Sequence, residues 1–148
     1  MNIGELLTSR RVLTGLRAAD KRGVLDALAA RAGAELGLDP AALRVALLER
    51  ERLGSTGVGR GTAIPHARLA GIAAPYGLLA RLERAVDFEA IDGRPVDLAC
   101  LLLLPDGAER GQLGALACVA RAFRDEALLA ALRRAQDPTA LHARLAAA

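Results

Sequence analysis

Leu47–Leu69 reads LLERERLGSTGVGRGTAIPHARL, and each third of it has a different character. Its first residues are the charged end of a helix. A loop carrying Gly54, Gly57, Gly59 and Gly61 follows, and then a short extended piece, Thr62-Ala-Ile-Pro-His-Ala, in which Pro65 biases Ile64 away from helix. The stretch is therefore a passage from helix to strand through a loop whose glycines demand unusual backbone angles or a close approach. His66, one of two histidines in the chain, stands just beyond it.

Upstream of this passage the pattern is helical. Asp20 is placed as an N-cap, and Leu25, Leu28 and Ala32 follow at helical spacing toward an end near Gly33. Asp39-Pro40 starts a second helix with Leu43, Leu47 and Leu48 as its inner stripe, ending at Leu53-Gly54. Before both, Arg11 to Leu16 fits a brief strand or turn. Downstream, Tyr76 to Leu82 reads as a strand, Ala85-Val-Asp-Phe as a short extended piece, and Asp92-Gly93 as a turn. Val96 to Leu104 is apolar apart from Asp97, as expected of a strand covered on both faces. The last third is helical: Leu113, Leu116, Ala117, Ala120 and Phe123 form one stripe. Leu128, Leu129 and Leu132 form the next, and Asp137-Pro138 opens a final short helix. Helices, then strands, then helices predict a single α/β domain over residues 1–148, with a central sheet wrapped by helices.

The bulk numbers exclude several classes. With 148 residues and 53% hydrophobic content the chain can bury a full core, so extended disorder is not expected. No apolar run approaches the roughly 20 residues of a membrane span, and no signal peptide follows Met1, which predicts a cytoplasmic protein with no direct membrane insertion. The net charge of +3 comes from arginines scattered among acids, and aromatics are only 2%, so no nucleic-acid partner is predicted. Cys100 and Cys118 lie in apolar surroundings and read as buried free thiols. Neither belongs to a ligand cluster, so no metal and no cofactor are expected.

The glycine loop fails the tests for common nucleotide loops. A Walker A loop ends in Gly-Lys-Ser/Thr, and Gly61-Thr62 lacks the lysine. Gly57-x-Gly59-x-Gly61 has the wrong spacing for a dinucleotide fingerprint and follows a helix. Ser55 has no G-x-S-x-G frame. What remains is backbone N–H groups, the Ser55 and Thr56 hydroxyls, an imidazole, and Arg50, Arg60 and Arg68 nearby. Those parts suit a phosphoryl group held beside a nucleophilic histidine. The residues alone equally allow a satisfied histidine at a strand edge, with glycines making a turn. His66-Ala-Arg-Leu-Ala recurs at His142, but inside an alanine-rich helix tail, and His142 is given no role.

Arg50-Glu-Arg-Leu-Gly-Ser-Thr-Gly-Val-Gly-Arg-Gly-Thr-Ala-Ile-Pro-His66-Ala-Arg resembles the signature of the type-2 (fructose/mannitol-type) IIA domains of the bacterial phosphotransferase system. The nitrogen-regulatory IIA proteins are among them. Asp87-Phe-x-Ala-x-Asp92-Gly-x-Pro-Val-Asp97-Leu resembles the family's second signature, and the likeness spans about residues 5–141.

The resemblance implies a mixed sheet flanked by helices on both sides. It implies that His66 accepts a phosphoryl group from an HPr-like phosphocarrier, with Arg50 stabilising charge and Ser55, Thr56 and Gly57 lining the phosphate pocket. Such a protein is a phosphoryl carrier with a phosphohistidine intermediate rather than a conventional enzyme.

One position departs from the pattern. Where the family commonly has a second histidine facing the first, this chain has Gln112, which can donate a hydrogen bond to a phosphoryl oxygen but carries no charge. With no HPr-like, IIB or membrane domain in these residues, a regulatory role through phosphorylation-dependent protein contacts is favoured. The alternatives are a sugar-specific component that passes phosphate to a IIB domain, and a binding-only module in which Gln112 impairs transfer.

Overall fold

The computed structural model describes residues 2–107 and 109–148, the side chains of 109–113 excepted. In chain order these form α1 (Ile3–Leu6), a 3-10 turn (Ser9–Arg11), β1 (Val12–Leu16), α2 (Lys21–Leu36) and α3 (Pro40–Arg52). Then come β2 (Gly57–Gly59), β3 (Thr62–Ala63), β4 (His66–Leu69), β5 (Tyr76–Val86) and β6 (Val96–Pro105). The chain closes with α4 (Glu109–Ala122), α5 (Glu126–Arg134) and α6 (Pro138–Ala146).

The sheet is mixed and ordered β1-β5-β6-β3-β2, with β4 also paired to β6. β5 and β6 run antiparallel as the central pair, and β1 lies parallel to β5. β3 and β4 lie end to end, parallel, along one edge of β6, with Thr62 opposite Leu98 and His66 opposite Leu102. Because strand side chains alternate, Leu98, Cys100, Leu102 and Leu104 enter one core with Leu79, Val119, Phe123, Leu129 and Leu141. Ala99, Leu101 and Leu103 enter the other, against Leu25, Leu28 and Leu47 of α2 and α3. The nearly unbroken apolar run of β6 is thus shared by two cores, which is why its polar position is confined to Asp97 near one end. The α/β layering expected from the sequence is observed, with helices on both faces.

Four helix starts are set by aspartates. Asp20 accepts from Gly23 N (2.8 Å), Asp39 from Ala41 N (3.0 Å), Asp125 from Leu128 N (3.1 Å) and Asp137 from Ala140 N (2.7 Å). The first long helix differs from expectation. It continues past Gly33 to Leu36 and ends on Gly37, at φ 69°. Gly33 serves packing instead: a Cβ there would lie 2.8 Å from the Leu38 carbonyl oxygen and 3.0 Å from Pro40 Cγ, so its bareness lets α2 turn tightly into α3. The extended piece expected at Ala85 to Phe88 is partly the end of β5, which runs without interruption to Val86. Cys100 and Cys118 are free and buried, and burial pushes both thiols up from their ordinary range. Tyr76 is buried with its hydroxyl donating to Glu35 (2.7 Å). Arg11 reaches the same carboxylate and lies over the Tyr76 ring, which clasps the 3-10 turn, α2 and β5 together.

Candidate functional site

His66 opens β4 immediately after the Ile64-Pro65 interruption. Its Nδ1 is 2.8 Å from the Ile64 carbonyl oxygen. A carbonyl only accepts, so Nδ1 carries the proton and the lone pair lies on Nε2. The Arg50 Nε–H donates to that Nε2 at 3.3 Å, and Arg50 Nη1 donates to the Gly54 carbonyl at 2.9 Å. Both ring nitrogens are therefore assigned, in the neutral tautomer. Burial pulls the His66 pKa below the ordinary histidine range, and the nearby Arg50 charge adds to this. The Ile64 hydrogen bond and the Glu51 charge act in the opposite direction, and the net shift is downward. A half-buried, neutral imidazole with an oriented lone pair and a guanidinium on the same nitrogen is equipped for nucleophilic attack on an electron-poor centre.

His66 borders a recess of about 360 Å³ lined by Arg50, Ser55, Thr56, Val58 and Ile64, and closed by Leu116 and Ala120 of α4. Val58 is exposed at its rim. A larger hollow, about 590 Å³, lies beside Arg17 and Glu83, but its polar content is an exposed ion pair and it holds neither a histidine nor a nucleophile.

The glycine loop has a more definite shape than its composition suggests. Gly57–Gly59 and Thr62–Ala63 form a hairpin. Its two-residue tip, Arg60 and Gly61, has φ 59° and 74°, the left-handed pattern that short hairpin turns need. Gly57 answers a close approach: a Cβ would fall 2.7 Å from the Ala90 Cβ. The loop hydroxyls are engaged within the fold. Ser55 Oγ donates to the Phe88 carbonyl and accepts from Gly57 N at 3.0 Å. Thr56 Oγ1 donates to Glu51. Both residues line the recess, while Gly57 supports it from behind with its N–H turned to Ser55.

Of the other arginines near in sequence, Arg60 pairs with Glu126 (3.0 Å), away from His66, and Arg68 is exposed two residues along β4. Arg133, distant in sequence, grips Asp97 with two guanidinium nitrogens and donates to the Arg60 carbonyl, fastening the hairpin tip to α5 and β6. The side chain of Gln112 lies outside the described residues. His142 sits on α6, which packs against α1, α5 and β1, away from the recess. Among the described residues no group of three His, Cys, Asp or Glu side chains is arranged to hold a metal, and no helix is long and apolar enough to cross a membrane.

Five contributors escaped the sequence reading. Leu116, Ala117 and Ala120 were expected only as core, yet they wall the recess; their signal is the small side chain at 117 and 120, where a leucine would fill the space. Glu51 looked like one more charge on a helix but is buried. Phe88 contributes a main-chain carbonyl, which no side-chain pattern reveals.

The residues 5–148 match the family model described as the phosphoenolpyruvate-dependent sugar phosphotransferase system, EIIA 2. A nitrogen regulatory protein of Bradyrhizobium diazoefficiens is 43% identical over 99% of this chain and 95% of its own length. A fructose-specific EIIABC component of Bacillus subtilis is 33% identical over 95% of this chain, which corresponds to 22% of that protein. The crystal structure of nitrogen regulatory protein IIA-Ntr from Neisseria meningitidis superposes with a TM-score of 0.90 at 32% identity, covering 97% of this chain and 98% of that one. With the family model, two relatives and this superposition in agreement over nearly the whole length, the chain belongs to the EIIA type 2 family of the phosphoenolpyruvate-dependent sugar phosphotransferase system.

Proposed function

We propose that this protein is a phosphoryl carrier that accepts a phosphoryl group on Nε2 of His66 from an HPr-like phosphocarrier and signals through contacts that depend on that modification. The observation that carries the reading is the pair of bonds on the imidazole: Ile64 holds the proton on Nδ1 and Arg50 faces the lone pair on Nε2. In the transfer, Nε2 forms a bond to phosphorus as the bond from phosphorus to the donor breaks, and the electron pair leaves with the donor atom. Arg50 turns its N–H groups from the ring nitrogen to the phosphoryl oxygens, where charge is spread during transfer. The proton stays on Nδ1, donated to the Ile64 carbonyl, so attack by the Nε2 lone pair needs no general base. The apolar wall of Val58, Ile64, Leu116 and Ala120 suits a protein partner and keeps bulk water from the phosphorus.

The regulatory role is favoured by the 43% identity to a nitrogen regulatory protein along nearly all of both chains. A second reading, a sugar-specific component that hands the phosphoryl group to a IIB domain, draws on the likeness to the fructose-specific component. Either role is cytoplasmic, with no metal or cofactor. Incubation with the phosphorylated phosphocarrier, followed by mapping of the labelled atom, tests the shared core: label on His66 Nε2 is expected, and label on Nδ1 or on His142 refutes it.

A further inference from the structure

Glu51 follows Arg50 on α3 but points into the protein. Its side chain is buried, and the carboxylate accepts from Thr56 N at 2.8 Å and from Thr56 Oγ1. Lys21, the chain's single lysine, stands at the start of α2 and brings its ammonium to 3.5 Å from the same carboxylate. That ammonium also meets Glu89 at 3.0 Å and donates to the Phe88 carbonyl at 3.4 Å, the carbonyl that accepts from Ser55. A buried carboxylate is costly unless compensated, and here three donors from two residues, Thr56 and Lys21, supply the compensation.

From Thr56 the contacts continue to the imidazole. The Thr56 carbonyl accepts from Ile64 N at 2.9 Å, and the Ile64 carbonyl accepts from His66 Nδ1 at 2.8 Å. The path Lys21–Glu51–Thr56–Ile64–His66 is therefore bonded at every step. Consecutive residues of α3 address opposite sides of one ring: Arg50 meets Nε2 directly, while Glu51 reaches Nδ1 through two intervening residues.

We propose that Glu51, held by Lys21, is a positioning residue for phosphoryl transfer at His66, fixing through Thr56 and Ile64 the tautomer and angle of the imidazole. The proposal rests on the transfer reading above. Glu51 touches no reacting atom. Its contribution is the orientation of the ring relative to Arg50, and misplacement of an attacking group by about an ångström costs of order a hundredfold in rate.

Glu51→Gln is nearly isosteric. Its amide keeps one acceptor oxygen, but its NH2 must face the second Thr56 donor or Lys21, so one bond of the set is lost. The test measures single-turnover phosphorylation of the full chain by the phosphorylated phosphocarrier, and 15N shifts of the His66 ring by NMR. In Glu51→Gln the rate at saturating carrier is expected to fall about tenfold or more with the half-saturating concentration unchanged. The ring shifts should move from a single Nδ1–H tautomer toward a mixture. Lys21→Met should show both effects in smaller measure, and Lys21→Arg should restore them. Wild-type rates in Glu51→Gln, a loss confined to half-saturation, or unmoved His66 shifts would each overturn the proposal. Failure of the wild-type chain to take label sinks the transfer reading alone, because the ring shifts still decide what Glu51 controls. Should Glu51→Gln not fold, the Lys21 pair decides by the same two readouts.

Discussion

Arg50 and His66 lie sixteen residues apart in the chain and meet Nε to Nε2 at 3.3 Å. The distance is that of a weak hydrogen bond, and the angle between partners is set from both ends: Arg50 is pinned by the Gly54 carbonyl and His66 by the Ile64 carbonyl. The guanidinium thus faces the nitrogen that is proposed to take the phosphoryl group.

Replacing Arg50 by alanine should slow phosphoryl transfer to His66 about a hundredfold, the magnitude found when a charge-stabilising donor is removed from a transition state. The fold should survive, since the two bonds lost, to the Gly54 carbonyl and to His66 Nε2, lie at the protein's edge and carry a net cost of about 1 kcal/mol each. Transfer kinetics together with a denaturant titration separate the two effects, and unchanged kinetics would remove Arg50 from the reaction.

His66→Ala should abolish labelling by the phosphorylated phosphocarrier, whereas His142→Ala should label like the wild type. The comparison is internal because the two histidines share the local sequence His-Ala-Arg-Leu-Ala and differ only in setting. Persistent label after His66→Ala would displace the site.

The pKa of His66 lies below its ordinary value, with burial as the first cause. Two pH effects follow. The imidazole stays neutral, and so able to attack, below the histidine norm of about 6.5, and transfer should hold its rate there until the pH nears the lowered value. For stability, the unfolded chain binds the proton more readily than the folded one, so unfolding is favoured by acid in this window. The contribution of His66 is fully present above about pH 6.5 and is lost as pH falls toward the folded value. An NMR titration of both histidines locates the folded pKa. Unfolding midpoints of wild type and His66→Gln should converge or cross as the pH drops through the window, and parallel curves would contradict the assignment.

Gly57→Ala and Gly61→Ala should both destabilise the hairpin, for different reasons. At 57 the added methyl meets Ala90 backbone at 3.0 Å, an overpacking that costs about 1–3 kcal/mol. At 61 it falls 2.7 Å from Arg133 Nη2 at a φ of 74°, so the Arg133–Asp97 pair must yield and the backbone is strained by about 1–2 kcal/mol. Urea titrations read both. Because Gly57 lies between Ser55 and the rim residue Val58, Gly57→Ala should also slow transfer more than Gly61→Ala does.

Much of this architecture was legible beforehand because it depends on local chemistry. The aspartate starts at Asp20, Asp39 and Asp137, the β6 run that is apolar but for Asp97, and the helical stripes each follow from neighbouring residues. His66 is likewise singled out as a candidate by the glycine loop and Pro65. What remained hidden depends on contacts between distant residues. Gly33 reads as a helix end until Leu38 and Pro40 are seen pressed against it. The loop composition suggests a cradle of free donors, yet the hydroxyls of Ser55 and Thr56 serve Phe88 and Glu51, and only the folded backbone brings Phe88 within reach. Arg133 holds the hairpin tip from 73 residues away, beyond the range of any spacing argument.

The join between β3 and β4 has a wider implication. Ala63 faces Ala99 and His66 faces Leu102, so the register along β6 is the same on both sides of Ile64-Pro65, and Leu102 N still finds the Pro65 carbonyl at 2.9 Å. The interruption turns the Ile64 carbonyl toward the imidazole without unmooring the strand. The proposed acceptor, His66, is therefore built into the masonry of the sheet, on a strand paired to β6 in unbroken register. On the proposed reading, a phosphoryl group there would bring nearly two negative charges to a strand moored along β6. The message a partner would then receive is written in electrostatic potential rather than in a shift of the backbone.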